Sequence, residues 1–282
     1  SAALLAGLSG FHPLVSMSWG SDLLLDAERD WKMRLATRYT LRRSTVLAGD
    51  CEAVRKKAAE FGFPAERVVL FPWGVDLQRF SPGGSSDLRQ RLGWQDAFVI
   101  LSLRTWEPLY GVDGVVKAFC QAAKQDARLR LLLLGSGSQA DQLREMLEQE
   151  NLLERVHFGG QVRGDELPDY YRSANLYVSA SHSDGSSVSL MEALACGLPV
   201  LVSDIPGNRE WIAPQEKAGM LFADGDYSGL AAGMLNAAAV SNGMSIQRQA
   251  ARALAERRAD WQVNFQQLLH AYDLARELDK KN

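Results

Sequence analysis

Two carboxylates stand eight positions apart around a loop of small residues in the stretch SHSDGSSVSLMEALACGLPVLVSD, residues 181–204. Asp184 opens the loop, and Glu192 falls about one turn into the helix predicted after it. A small-residue loop entering a helix exposes backbone N–H groups at the positive end of the helix dipole, which favours a phosphate. Ionised carboxylates nearby suit sugar hydroxyls, because their oxygens accept hydrogen bonds from vicinal diols. Spacing alone leaves the alternative that Asp184 only caps the helix and Glu192 is a solvated surface residue.

The composition is that of a globular enzyme. The chain has 282 residues, 46% hydrophobic and 23% charged, which is long enough for two domains. A net charge of -3 gives no overall attraction to nucleic acid or anionic lipid, so no nucleic-acid partner is expected. Cys51, Cys120 and Cys196 are an odd number without metal-ligand spacing, which indicates reduced thiols in the core of a cytoplasmic protein.

The loop with Asp184 and the helix with Glu192 must follow a strand of a sheet. Continuous apolar runs separated by amphipathic helical segments predict a parallel sheet covered on both faces, with strands at 97–103, 129–135, 155–160, 174–181 and 199–204. In such a sheet, ligands bind outside the carboxyl ends of the strands. The loop 181–187 therefore lies where a ligand is expected.

The first part of the chain shows the same alternation on a smaller scale. Apolar runs predict strands at 14–18, 44–50 and 67–76. Residues 51–63 predict a helix, with Asp50 as its N-cap. The Ser, Pro and Gly cluster at 81–87 is the predicted linker between two domains.

Several of these stretches together resemble retaining glycosyltransferases of family 4. The stretches are LSLRTWEPLYGVDGVVKAF (101–119), LLLLGSGSQADQL (131–143), VHFGGQVRGDELPDYYRSANLYVSAS (156–181), PWGVDLQRFSP (72–82) and residues 181–204. The resemblance implies an α/β protein of the GT-B type with two Rossmann-like domains. We expect an incomplete N-terminal, acceptor-side domain over 1–80 and a complete nucleotide-sugar-binding domain with a parallel sheet over 81–262. A C-terminal helix over 263–282 is expected to cross back to the first domain.

The resemblance also implies roles for the two carboxylates and their loop. Glu192 would hold the ribose hydroxyls of a nucleotide sugar, and Asp184 would contact the donor sugar near the reacting carbon. Asp184 stands in place of the family's usual Glu. Backbone N–H groups of the intervening loop would face the diphosphate or the sugar, from Gly185, Ser186 and Ser187.

Residues of other loops complete the implied donor site. Arg104 matches the family's diphosphate arginine, and its planar fork suits phosphate oxygens. The Lys expected a few positions later is missing, so the Tyr110 hydroxyl or a basic residue from elsewhere is expected to compensate. Gln161 and Val162 match the segment that meets the nucleobase, and Gly135 opens a Gly-rich turn after a strand.

One candidate catalytic residue lies in the first domain. Trp19 stands where the family often carries a His near the donor sugar, and Asp22 follows it closely. We therefore predict Asp22 as a cleft residue, with helix capping as the alternative.

The resemblance further implies that the first strands of the N-terminal domain are absent. Three explanations stay open: a truncated gene, a fragment kept for donor binding, or a second chain that supplies the missing part. Three roles are open for the basic segment 28–43: a solvated helix face, a surface that guides a phosphorylated acceptor, or a peripheral contact with the inner face of the membrane.

The expected reaction is metal-independent transfer of a sugar from a nucleotide-diphosphate sugar, with retention of anomeric configuration. No cofactor is expected besides that donor substrate, whose base stays open, and the acceptor is a glycan, a lipid-linked molecule or a small molecule. Two alternatives remain: a GT-B epimerase acting on a UDP-sugar, and a nucleotide-sugar-binding fragment without turnover.

Overall fold

A computed structural model describes residues 2–84, 86–240 and 243–280. Within these ranges the chain forms two parallel sheets, a three-stranded small sheet and a six-stranded large sheet. Ser85, which falls in the predicted linker, lies outside the described residues. The first residue of the predicted 1–80 segment and the last two residues of the predicted 263–282 segment lie outside them as well.

The small sheet has the strand order β1-β2-β3, and its strands all run parallel. Its strands and the helices between them are α1 (Ala2–Leu8), β1 (Val15–Ser18), α2 (Ser21–Leu24), α3 (Trp31–Arg43), β2 (Val46–Gly49), α4 (Glu52–Glu60) and β3 (Val68–Leu70). One face packs on α2, α3 and α4 through Leu47, Leu23, Leu41 and Val54. The three strands predicted from apolar runs are thereby confirmed.

The large sheet has the order β6-β5-β4-β7-β8-β9, again wholly parallel. Its elements are α5 (Leu88–Arg91), β4 (Phe98–Leu103), α6 (Val112–Ala123), β5 (Leu129–Leu134), α7 (Ala140–Gln149), β6 (Val156–Gly160), α8 (Leu167–Ser173), β7 (Leu176–Ser179), α9 (Val188–Ala195), β8 (Val200–Ser203), α10 (Pro206–Trp211), β9 (Gly219–Phe222), α11 (Tyr227–Ala239) and α12 (Ser245–Arg258). Numbered within this sheet alone, the order is 3-2-1-4-5-6, the doubly wound order, whose direction reverses between β4 and β7.

Both faces of the large sheet are buried, which explains why its strands are continuously apolar. Helices α6, α7 and α11 cover one face over Ile100, Leu131 and Val178. Helices α9 and α12 cover the other face over Val99, Leu132 and Val202. The five strands predicted for this sheet are confirmed, and β9 is an additional one.

The C-terminal helix α13 (Trp261–Asp279) packs on the second face of the small sheet. Its buried residues, Leu268, Ala271 and Ala275, contact the sheet at Val46 and Val69. The chain reaches this position through a bridge at Val75, whose N–H donates to the Ala259 carbonyl oxygen at 2.8 Å. The apolar residues of α13 are only partly buried, since Trp261, Leu269 and Tyr272 are more than 40% exposed.

Two smaller predictions have different outcomes. The three cysteines are buried free thiols, as predicted. The N-cap prediction for Asp50 is wrong, because Cys51 occupies the N-cap position of α4 and the Asp50 carboxylate points to another element. In the part of the chain that the structure describes, no helix is long and apolar enough to cross a membrane.

Candidate functional site

A cavity of about 500 Å³ opens at the carboxyl ends of β4, β5 and β6. Its lining includes the last residues of these strands, Leu103, Leu134 and Gly160, and the first two residues of α9. This place is the switch point of the sheet, where neighbouring loops diverge and leave a crevice. Six of the predicted site residues line the cavity: Arg104, Tyr110, Gly135, Gln161, Val162 and Glu192.

Arg104 follows β4 directly and extends across the switch point to the loop after β7. Its guanidinium donates to the Ser187 hydroxyl at 2.7 Å and forms an ion pair with Asp184 at 2.8 Å. The Tyr110 ring lies against the guanidinium, 4.3 Å from its carbon to the ring centroid. These contacts fix a cation, with its planar fork, at the cavity wall.

Asp184 is therefore held by Arg104 and does not itself line the cavity. Its carboxylate also accepts a hydrogen bond from the N–H of Gly185 at 3.1 Å. Burial raises the pKa of Asp184 above its usual range, although the charge of Arg104 opposes that shift. The predicted catalytic carboxylate thus lies beside the predicted diphosphate cation.

Glu192 lies on α9 and contributes a carboxylate to the cavity wall. Its Oε2 accepts a hydrogen bond from the Tyr171 hydroxyl at 2.7 Å. Burial raises the pKa of Glu192 to about 7, while the bond from Tyr171 and the charge of Arg79 lower it. A carboxylate with a neutral partner keeps free lone pairs, which can accept hydrogen bonds from hydroxyl groups of a ligand.

The opposite part of the cavity is formed by backbone and small side chains after β5 and β6. Gly135 has a φ of +119°, and an added Cβ would overlap the carbonyl oxygen of Arg104. Gln161 donates from Nε2 to the Ser136 hydroxyl at 3.0 Å. Val162 completes this wall. Such a mixed surface offers backbone polar groups and an apolar edge to a flat ring.

The residues of the loop before α9 contact two different side chains, Arg104 and Asp50. Ser187 faces Arg104, whereas Gly185 and Ser186 face Asp50 at the end of β2. The N–H of Ser186 donates to Asp50 Oδ2 at 2.8 Å, so this N–H group is not directed into the cavity.

Asp22 lies apart from the other predicted residues. Its Oδ1 accepts hydrogen bonds from the Ser18 hydroxyl at 2.8 Å and from the Trp19 N–H at 3.1 Å. It lines a separate cavity among α1, α2 and α3. The structure therefore does not bring Asp22 to the cavity that Arg104 and Glu192 share.

Sequence reasoning missed Tyr171 and Asp50. Tyr171 is buried and lies 21 positions before Glu192 on another helix, so no local pattern connects the two. Asp50 precedes a helix, a position at which an Asp is ordinarily interpreted as a cap. The Asp50 contact joins the end of β2 to the loop before α9, and the Tyr171 contact joins α8 to α9.

Comparison with known proteins identifies the family of this chain. Residues 85–254 match the family described as "Glycosyl transferases group 1". The chain belongs to the glycosyl transferases group 1 family. That match contains nearly all the residues of the cavity, and it ends within α12.

Curated relatives of this group 1 chain carry transferase or synthase names. It is 30% identical over 174 residues to a D-inositol 3-phosphate glycosyltransferase of Geodermatophilus obscurus, covering 58% of this chain and 39% of that protein. It is 26% identical over 184 residues to an alpha-monoglucosyldiacylglycerol synthase of Streptococcus pneumoniae, covering 63% and 42%. The chain thus spans about two-fifths of the length of these relatives.

Solved structures show that the fold is α/β of the GT-B type, as predicted. Anabaena Alr3699/HepE in complex with UDP superposes with a TM-score of 0.85 at 22% identity, covering 96% of this chain and 76% of that one. Sucrose-phosphate synthase from Thermosynechococcus elongatus gives 0.80 at 22% identity, covering 99% and 73%.

Proposed function

We propose that this chain binds a nucleoside-diphosphate sugar, with uridine as its nucleoside, and transfers the sugar to an acceptor. The observation that carries the proposal is one cavity, at the switch point of a parallel sheet, walled by a fixed guanidinium and by a carboxylate that accepts a hydrogen bond from a neutral hydroxyl. The choice of uridine is supported by the UDP complexes of the HepE structures.

The ribose, the base and the diphosphate of the donor each have complementary residues in the cavity. Glu192 accepts hydrogen bonds from the two ribose hydroxyls, and the segment around Gln161 and Val162 meets the base. Arg104 and the first N–H groups of α9 bind the diphosphate, because a helix N-terminus leaves donors unpaired and carries a positive partial charge.

The transfer step breaks the bond between the anomeric carbon of the sugar and the diphosphate oxygen. A bond forms from that carbon to the acceptor hydroxyl oxygen, whose proton passes to the leaving diphosphate. Negative charge grows on the diphosphate oxygen, and Arg104 together with α9 stabilises it electrostatically. We propose retention of anomeric configuration, without a metal ion and without a covalent bond to the protein. Asp184 orients Arg104 and is proposed to contact the donor sugar from the same loop.

The finer classification belongs to the same proposal. The matched motifs favour family 4 of the retaining glycosyltransferases, and the three free cysteines favour a cytoplasmic site of action. A glycan, a lipid-linked molecule or a small molecule is the proposed class of acceptor. We propose that parts of the acceptor surface come from outside residues 2–280, since the relatives and neighbours are longer than this chain.

Calorimetric titration with UDP, GDP, ADP and their sugar conjugates tests the donor site. We expect saturable binding of UDP, loss of that binding in Glu192→Ala, and unchanged binding in Glu145→Ala, which removes an exposed Glu of α7 outside the cavity. Incubation of the bound UDP-sugar should then release UDP. A folded protein that binds none of these nucleotides would contradict the proposal.

A further inference from the structure

Asp50 connects the small sheet to the loop that precedes α9. It follows β2 directly and is 5% exposed. Its Oδ2 accepts a hydrogen bond from the N–H of Ser186 at 2.8 Å, and the Ser186 hydroxyl donates to the Asp50 carbonyl oxygen at 2.7 Å. Two hydrogen bonds thus join residues 136 positions apart.

The loop has little room to adopt another position. An added Cβ at Gly185 would overlap both carboxylate oxygens of Asp50. Gly20, with a φ of +95°, approaches Gly185 from the small sheet, and Gly207 approaches it from α10. The absence of a side chain at Gly185 allows the Asp50 carboxylate to reach the backbone of the loop, and the absence of side chains at Gly20 and Gly207 leaves room for that backbone on its other sides.

Ser186 lies between the two residues that hold Arg104. Asp184 precedes it by two positions and forms the ion pair, and Ser187 follows it and accepts the hydrogen bond. A shift of Ser186 would therefore move both partners of the guanidinium. We propose that Asp50 is a positioning residue for the diphosphate part of the donor site, an inference that rests on the function proposed above.

The environment of Asp50 is unfavourable for a residue that serves stability alone. Its Oδ1 has no hydrogen-bond partner within 2–84, 86–240 and 243–280. Burial raises the pKa of Asp50 to about 6, and the nearby charge of Asp184 adds to the rise, against hydrogen bonds from Ser186 and the Cys51 thiol. A buried, half-satisfied carboxylate is costly, so its placement favours a role in the site.

Glu210 provides a matched comparison. From α10 it accepts hydrogen bonds from the N–H groups of Glu52 at 3.1 Å and Ala53 at 3.2 Å, at the start of α4. It is thus a second carboxylate that joins the small-sheet side to the large-sheet side through backbone N–H groups. Glu210 does not line the cavity.

The experiment compares Asp50→Ala, Asp50→Asn and Glu210→Ala in binding of UDP and of uridine, by calorimetry and NMR titration. Asp50→Ala should weaken UDP binding about tenfold, while uridine binding stays within about twofold of the wild type. Asp50→Asn keeps an acceptor oxygen for Ser186 and should recover most of the UDP affinity. Glu210→Ala should leave both ligands unaffected, even where it lowers the unfolding midpoint as much as Asp50→Ala does.

Four results would overturn the inference. Equal losses of UDP and uridine affinity in Asp50→Ala, or equal losses in Asp50→Ala and Glu210→Ala, would assign Asp50 a structural role only. If Asp50→Ala binds UDP as tightly as the wild type does, Asp50 has no role in positioning the diphosphate part of the site. A folded wild type that binds neither ligand would overturn the proposed function, and this inference with it.

Discussion

Asp184 and Glu192 lie at equal distances in sequence on either side of the start of α9, but their electrostatic surroundings differ. Asp184 is 18% exposed in its side chain and forms an ion pair with Arg104, which is 13% exposed. Glu192 receives its hydrogen bond from the neutral Tyr171 hydroxyl. Asp184 therefore holds the Arg104 cation, while Glu192 keeps lone pairs for neutral hydroxyl donors of a ligand.

Removal of the cation should give the largest effect. Arg104→Ala leaves Asp184 buried without its partner, so we expect a loss of about 3 to 5 kcal/mol in the free energy of unfolding. UDP affinity should fall about a hundredfold, because the fork that faces the diphosphate is gone. Chemical denaturation and calorimetric titration measure the two effects.

The double variant Arg104→Ala/Asp184→Asn separates these effects. It removes the uncompensated charge, so stability should largely return while UDP affinity stays low. UDP binding by Arg104→Ala within threefold of the wild type would show that Arg104 does not bind the diphosphate.

Glu192 should have an intermediate effect, visible as the dependence of stability on pH. Its folded pKa of about 7 lies above the unfolded value of 4.5, so the folded state holds the proton more strongly. Stability should therefore fall as pH rises from about 4.5 to 7 and level off above, by roughly 3 kcal/mol for this group.

Glu192→Gln keeps an acceptor for Tyr171 and carries no charge. It should lack this pH dependence and be more stable than the wild type at pH 8, as measured by denaturation at both pH values. Parallel curves for the two proteins between pH 5 and 8 would indicate that Glu192 titrates near its ordinary value.

The smallest effect is expected at Tyr110, where the sequence suggested a hydroxyl that replaces a missing Lys. The structure instead places the ring against the Arg104 guanidinium. Tyr110→Phe should therefore change UDP affinity by less than about twofold, and Tyr110→Ala should lower it roughly two- to fivefold. A larger loss in Tyr110→Phe would restore the role of the hydroxyl.

Much of the fold could be predicted because burial on both faces makes the strands apolar throughout. The strand β9 (Gly219–Phe222) was missed, since it is short and its Met220 is 43% exposed. The positions of Arg104 and Gly135 directly after strands, and of Glu192 in the helix after a loop, could be predicted from the order of strands, loops and helices. The contacts of Asp50 with Ser186 and of Tyr171 with Glu192 could not, because they join distant segments through packing that no local pattern records.

The central claim is that the cavity binds a nucleoside diphosphate, with Glu192 accepting hydrogen bonds from the ribose. The most direct measurement is the affinity for UDP at pH 6 and pH 8 in the wild type and in Glu192→Gln. With a pKa of about 7, Glu192 is mostly protonated at pH 6 and mostly ionised at pH 8. We therefore predict that the wild type binds UDP about tenfold more tightly at pH 8 than at pH 6. This gain is counted after subtracting the change in Glu192→Gln, which reports the titration of UDP itself. The same pH dependence in both proteins, or equal affinities at pH 8, would contradict the account.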